Sequence, residues 1–397
     1  MFESIAPRPN DAIMAVMEKC KADTRPEKID LGVGVYKDAT GNTTILKSVK
    51  LAEEMWGREE TTKTYVGTVG NQDFCQDMLA LILGADNPVI TEARIGVAQT
   101  AGGSGALRLG AELLKVAAPN ATVWASTPTW ANHIPLISAA GLKMDSYPYY
   151  NRETLGVDYE DMLDHLDKSA KRGDIILLHG CCHNPTGADL SPAQWGRLAP
   201  FMAERGLFPF IDLAYFGLGR GMDEDTYGLR KIIEHCPEVL LAASCSKNFA
   251  LYRERTGLIA AITPDADKAK AIKSQFGAIQ RKIISMPPDH GAAIVTRILR
   301  DETLRKIWRE ELDEMRNRML GLRQLLSEAL NVQGGEAMAA AIKNQNGMFS
   351  TLPLSKEQVA VLSQDHAVYL MPSGRINIAG ANTSNIPILA KAILNVL

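Results

Sequence analysis

The sequence predicts an α/β fold: a large domain on a mostly parallel sheet of seven strands, joined to a smaller α/β domain. Three observations predict it. Seven short apolar runs follow one another between residues 95 and 262. Helical patterns alternate with them, as parallel sheets require. The chain has 397 residues, more than one simple core accommodates.

Residues 11–21 read as an amphipathic helix placed to dock on the smaller domain. The sheet then draws on runs at 95–100, 122–126, 144–149, 175–180, 208–215, 239–246 and 258–262. Runs this short read as strands. Helical patterns occupy 105–117, 159–169 and 192–205. A sheet covered on both faces binds ligands at the C-terminal ends of its strands. Lys268, Lys270 and Lys273 mark a solvated helix face. A long helical stretch at 291–330 repeats Trp308, Leu312, Met315, Met319, Leu322 and Leu326 at helical spacing, a core-facing stripe. Residues 347–352, 368–371 and 375–379 read as strands of the smaller domain.

Composition excludes several function classes. Hydrophobic residues make up 46% and charged residues 22%, the balance of a soluble globular enzyme. A formal charge of -3 leaves no basic footprint for nucleic acid or an anionic membrane. No apolar run approaches the roughly 20 residues that span a bilayer. Met1-Phe2-Glu3-Ser4 lacks the basic start and apolar core of a signal peptide. The six cysteines lack metal-ligand spacing, so free thiols in a reducing cytoplasm are expected.

The chemistry concentrates at strand ends. Val239-Leu240-Leu241-Ala242-Ala243 leads into Ser244-Cys245-Ser246-Lys247. A lysine in small, neutral surroundings loses its proton more readily, and a neutral lysine attacks carbonyls to form an imine. Ser244, Ser246 and Arg255 add anion-binding groups. The plainer alternative is a surface lysine at a strand end. Gly102-Gly103-Ser104-Gly105 opens a helix, either as a phosphate cradle or as a tight turn. His179 to His183 contains two histidines and two cysteines, but adjacent cysteines chelate one tetrahedral ion poorly. No metal is expected there. Asn184-Pro185 is a turn open to a cis peptide, with Asn184 as a ligand-contacting amide.

Asp212 lies inside an apolar strand, where a carboxylate needs a partner. It is either a structural ion pair or helix cap, or the counter-ion of a protonated ring nitrogen, with Tyr215 beside it. Both reach one ligand only if the strand ends between them. Trp130 stacks on a planar ligand or packs. Arg375 and Arg281 are edge residues or carboxylate clamps. Together these parts meet the requirements of pyridoxal 5'-phosphate acting on an amino acid.

On these residues the chain resembles the class I aspartate and aromatic amino acid aminotransferases of fold-type I. The likeness runs from Leu31-Gly32-Val33-Gly34-Val35-Tyr36-Lys37-Asp38 to Arg375-Ile376-Asn377. It includes Tyr65, Gly102 to Gly105, Trp130, Asn184-Pro185-Thr186-Gly187, Asp212-Leu213-Ala214-Tyr215, Ser244 to Lys247 and Arg255. The resemblance implies pyridoxal 5'-phosphate, ping-pong transamination and a homodimer with shared active sites. It implies a large domain at 46–312 and a small one from 1–45 with 313–397.

Residue roles follow from the same resemblance. Lys247 carries the cofactor and moves the proton. Asp212, supported by His133, keeps the ring nitrogen protonated. Tyr215 and Asn184 bind the ring hydroxyl oxygen. Gly103, Ser104, Ser244, Ser246 and Arg255 hold the phosphate, joined by Tyr65 of the partner subunit. Lys247, Asp212 and Tyr65 are the expected catalytic residues. Trp130 packs on the ring. Arg375 clamps the substrate α-carboxylate with Gly34 and Asn184. Arg281 of the partner subunit meets a distal carboxylate.

Met286 stands where aspartate-specific relatives usually carry Asn, and Ser104 replaces their Thr. Both changes make the pocket roomier or less polar. Val35, Lys37 and Thr43 look aspartate-like. The expected donors are aromatic amino acids together with aspartate or glutamate, and the acceptor is 2-oxoglutarate. A strictly aspartate-specific enzyme is the first alternative, and a β-lyase the second. A cofactor-sensing regulator is disfavoured, because no basic DNA-binding module accompanies the domain.

Overall fold

The computed structural model describes residues 1–7 and 12–397. Its centre is a seven-stranded sheet. From edge to edge the strands are Ile95–Ala101, Thr256–Ile262, Val239–Ser244, Phe208–Leu213, Ile175–His179, Thr122–Thr127 and Lys143–Pro148. All pairings are parallel except the two made by Thr256–Ile262, which runs against both neighbours. The reversal has a simple cause. Residues 245–255 contain no helix, and a parallel return needs a crossover that usually includes one.

Strand alternation explains the two cores. Val239, Leu241 and Ala243 face one apolar cluster, while Leu240 and Ala242 face the other. Successive side chains of a strand point to opposite faces, so a doubly covered strand must be apolar throughout. Helix Gly102–Ala117 packs on one face through Ala106, Leu109 and Leu113. Helix Pro192–Arg205 packs on the other through Leu198 and Met202. Its start is secured by Ser191, which accepts from Gln194 N in a capping box.

Most strand limits shift by one or two residues, and two helical regions differ more from the sequence reading. Helix Gly102–Ala117 begins three residues earlier than expected, so the glycines form its first turn. The stretch at 291–330 is two helices, His290–Arg300 and Glu302–Val332. Asp301 divides them, accepting from Leu304 N at 2.9 Å as a helix cap. The apolar stripe from Trp308 to Leu326 is buried as expected. Arg323 is buried within it, and its guanidinium donates to Gly347 O at 2.9 Å and Ser350 Oγ at 2.7 Å. That arginine holds the 346–350 segment by backbone hydrogen bonds rather than by an ion pair.

Two of the three smaller pairings involve the chain ends. Ile29–Asp30 pairs in parallel with Val368–Tyr369, and Phe349–Thr351 pairs against Arg375–Asn377. Helix Ala12–Ala22 packs through Val16 and Cys20 on Tyr369 and Met371. Asp11, the expected start of this helix, lies outside the described residues. Among the described residues no helix is long and apolar enough to cross a membrane.

Candidate active site

Four parallel strands, ending at Thr127, His179, Leu213 and Ser244, present their C-terminal ends together. The antiparallel strand adds its beginning to the same edge, with Gly257 opposite Ser244 and Thr256 opposite Ala101. Arg255 therefore meets the turn at Gly102 and Gly103. A Cβ on Gly102, which has φ +70°, would lie 2.8 Å from Arg255 Nη2. One on Gly103 would lie 3.1 Å from Ser244 Cβ. The missing side chains leave a cradle between a helix N-terminus, two serine hydroxyls and a guanidinium, a place suited to an anion.

The cradle opens into a cavity of about 290 Å³. Gly103, Ser104, Ser244, Ser246, Lys247 and Arg255 line one end of the expected set. Gly34, Trp130, Asn184, Asp212, Tyr215 and Arg375 line the rest of it. Strand Phe208–Leu213 does end between Asp212 and Tyr215, which lets both face the cavity.

His133 stands behind that wall. Its Nε2 lies 3.0 Å from Asp212 Oδ2, and its Nδ1 lies 2.8 Å from Thr129 Oγ1. Donation to the carboxylate requires the proton on Nε2, which leaves Nδ1 to accept from the Thr129 hydroxyl. Asp212 pairs with His133, and its charge favours the Lys247 ammonium less than burial and Arg255 oppose it.

Lys247 is half-buried at the cavity wall. Burial, and then the positive charge of Arg255, push its ammonium down from the usual 10.5 to about 8. The amine therefore sheds its proton through a window centred near pH 8. Competitive acetylation of the ligand-free protein, read at Lys247 by mass spectrometry, should titrate near pH 8. A midpoint at the ordinary value of 10.5 would contradict the half-buried placement.

Arg375 reaches the cavity from the far end of the chain. Its Nη2 donates to Gly32 O at 2.9 Å and its Nη1 to Asn184 Oδ1 at 3.4 Å. The guanidinium lies 4.4 Å from the ring centroid of Phe349. Asn184 Nδ2 is 3.5 Å from Tyr215 Oη, and the Asn184-Pro185 peptide is cis.

Tyr65 and Arg281 are not brought to this cavity within the chain. Tyr65 is 87% exposed. Arg281 lies on helix Ala266–Ile283 and lines a separate depression with Thr68 and Lys273. The His179 to His183 segment divides its roles. His183 engages Ser126 and Thr186, while Cys181, Cys182 and Asp225 bring one ligating atom each within 4.8 Å of one another. Asp225 accepts there from the backbone of Gly217, Gly219 and Arg220, which accounts for its burial.

Ile13, Leu107, Tyr252 and Phe349 also line the cavity and were not singled out in the sequence. Three are apolar residues that look like packing. Tyr252 offered only a weak signal, an aromatic five residues after the lysine.

The class I and class II aminotransferase profile matches residues 26–393. The chain is 45% identical to an aromatic-amino-acid aminotransferase of Paracoccus denitrificans over 396 residues, covering all of both chains. It is 44% identical to an aspartate aminotransferase of Haemophilus influenzae over 397 residues, again covering all of both. Among solved structures, the aromatic-amino-acid aminotransferase of Burkholderia pseudomallei covalently bound to pyridoxal phosphate superposes with a TM-score of 0.97. That match has 38% identity and covers 100% of this chain and 99% of the other.

Proposed function

The chain belongs to the class I and class II aminotransferases, and from that premise we propose the substrates, cofactor contacts and assembly of this enzyme. It moves the amino nitrogen of an aromatic or acidic L-amino acid to 2-oxoglutarate. One observation carries the reading: Lys247, Asp212, Arg255 and Arg375 face a single cavity. The glycine cradle, the serine hydroxyls and Arg255 fit a phosphate, and the Asp212 carboxylate fits a protonated ring nitrogen.

When bound there, pyridoxal 5'-phosphate supplies an electron sink for negative charge at the substrate α-carbon. Lys247 would hold it covalently, and as a free amine would take the proton from the substrate α-carbon. An amine with a value near 8 keeps a sizeable neutral fraction near neutrality, as general-base catalysis requires. Asp212 holds the proton on the ring nitrogen, and His133 holds Asp212 in place. Gly103, Ser104, Ser244, Ser246 and Arg255 grip the phosphate. Tyr215 and Asn184 would donate toward the ring oxygen, and Trp130 would pack on the ring. Arg375 forks onto the α-carboxylate, with Gly34 and Asn184 beside it.

We propose a homodimer in which the partner subunit's Tyr65 and the partner subunit's Arg281 complete the site. Exposed Tyr65, Val66, Ile283 and Ile284 support that assembly. The division into 46–312 and 1–45 with 313–397 belongs to the same proposal, with the cavity between the two parts.

Both aromatic and dicarboxylic donors are expected to be accepted. Arg281 suits a distal carboxylate, while Ser104 and Met286 leave room for a ring. Steady-state rates with phenylalanine, tyrosine and aspartate, each with 2-oxoglutarate, decide this. We expect kcat/KM values for the three within about two orders of magnitude, a difference of ~2.7 kcal/mol in transition-state binding. Negligible turnover of both aromatic donors would leave a strictly aspartate-specific enzyme.

A further inference from the structure

Lys247 Nζ lies over two aromatic rings, 5.5 Å from the centroid of Tyr215 and 5.4 Å from that of Tyr252. Tyr252 lines the cavity. Its hydroxyl oxygen accepts from Tyr36 N at 2.9 Å. Tyr36 ends the 32–36 segment, of which Gly34 and Val35 also line the cavity. The segment is held from the opposite side as well. Arg375 Nη2 donates to Gly32 O at 2.9 Å, and Asn377 Nδ2 donates to Val33 O at 2.6 Å and Val35 O at 2.7 Å. Tyr252 supplies the hydrogen bond from the Lys247 side.

We propose that Tyr252 is a positioning residue: its ring confines the Lys247 amine, and its hydroxyl fixes the 32–36 wall beside the carboxylate clamp. The inference rests on the aminotransferase reading of the same cavity. A lysine ends a flexible four-carbon stem, so a base that must meet one proton needs walls. Two rings about equally distant from the nitrogen provide them. The wall segment shares Arg375 with the bound α-carboxylate, so loosening the segment loosens the clamp. Burial raises the Tyr252 hydroxyl to about 12, so it stays protonated across the working pH range.

The two functions separate by substitution. Tyr252→Phe keeps the ring and removes the acceptor, leaving the Tyr36 N–H without its partner. Expected are a five- to tenfold rise in KM for aspartate, kcat within about twofold, and faster amide exchange at Tyr36 by a similar factor. Tyr252→Leu removes the ring as well and should lower kcat by about tenfold or more. Exchange is read by mass spectrometry on the peptide spanning residues 32–36, with thermal melting as the check on folding.

A parental KM and parental exchange in Tyr252→Phe would overturn the hydroxyl's role. An equal kcat loss in both variants would overturn the ring's role. If the leucine variant does not fold, Tyr252→Met repeats the ring test. Should the unaltered protein show no transamination, the aminotransferase reading itself fails. The exchange measurement needs no cofactor and still decides the hydrogen bond.

Discussion

Replacing Lys247 by Ala is expected to lower turnover with every amino donor by about 10⁴-fold or more. On the proposed roles the substitution removes two functions at once. A positioned general base contributes roughly 10²–10⁴-fold, and the lost covalent attachment adds to it. The defect should be chemical rather than structural. The folded-state value of Lys247 is about 8, below the ordinary 10.5. A depressed lysine opposes folding fully below about pH 8, and the penalty fades as pH rises to 10.5. At pH 7 the alanine variant therefore keeps or gains thermal stability. Borohydride reduction followed by mass spectrometry should add the cofactor's mass to the parent protein and not to the variant. Turnover within tenfold of the parent would remove Lys247 from the centre of the mechanism.

Asp212→Asn is expected to lower kcat/KM for aspartate by roughly 10²–10³-fold. Asparagine keeps the shape of the side chain and drops its charge. Asp212 is 6% exposed, with His133 Nε2 at 3.0 Å. Removing one preorganised electrostatic partner of the reacting centre costs about 2.7–4 kcal/mol. At 1.36 kcal/mol per decade, that range corresponds to the stated loss. The neutral amide cannot hold a proton on a ring nitrogen, so the loss falls on the chemical step while the Arg375 clamp stays intact. The check is kcat and KM measured separately. KM should stay within about threefold. An unchanged kcat would make Asp212 a purely structural ion-pair partner of His133.

Much of this was legible residue by residue. The runs at 175–180 and 239–246 are apolar on both alternating faces, and only a covered parallel strand tolerates that. They end as strands within one or two residues of those limits. The lysine, the aspartate and the glycine turn were visible because each breaks a local pattern. Asp301 was less visible, since helical apolar spacing continues on both sides of it and only its cap geometry marks the break. Arg323 was hidden for the opposite reason: a long cationic side chain in an apolar stripe reads as solvated. Its carbonyl partners lie 20 or so residues further on and were out of reach of any local pattern.

Alone, the sequence determined which residue types stand at strand ends, and hence a candidate reactive lysine, a carboxylate in need of a partner, a glycine turn open to an anion and an arginine capable of clamping. Those are local properties of a strand, a turn or a helix start, written in neighbouring residues. Tertiary structure decided which of them share a cavity. The antiparallel strand Thr256–Ile262 brings Arg255 to Gly102, and the 375–377 strand brings Arg375 to Asn184. It also decided that Tyr252 stands between Lys247 and Tyr36. Contacts between residues so far apart in the chain arise from sheet order and from packing both faces of one sheet. Burial, not spacing, then brought the Lys247 ammonium down to about 8.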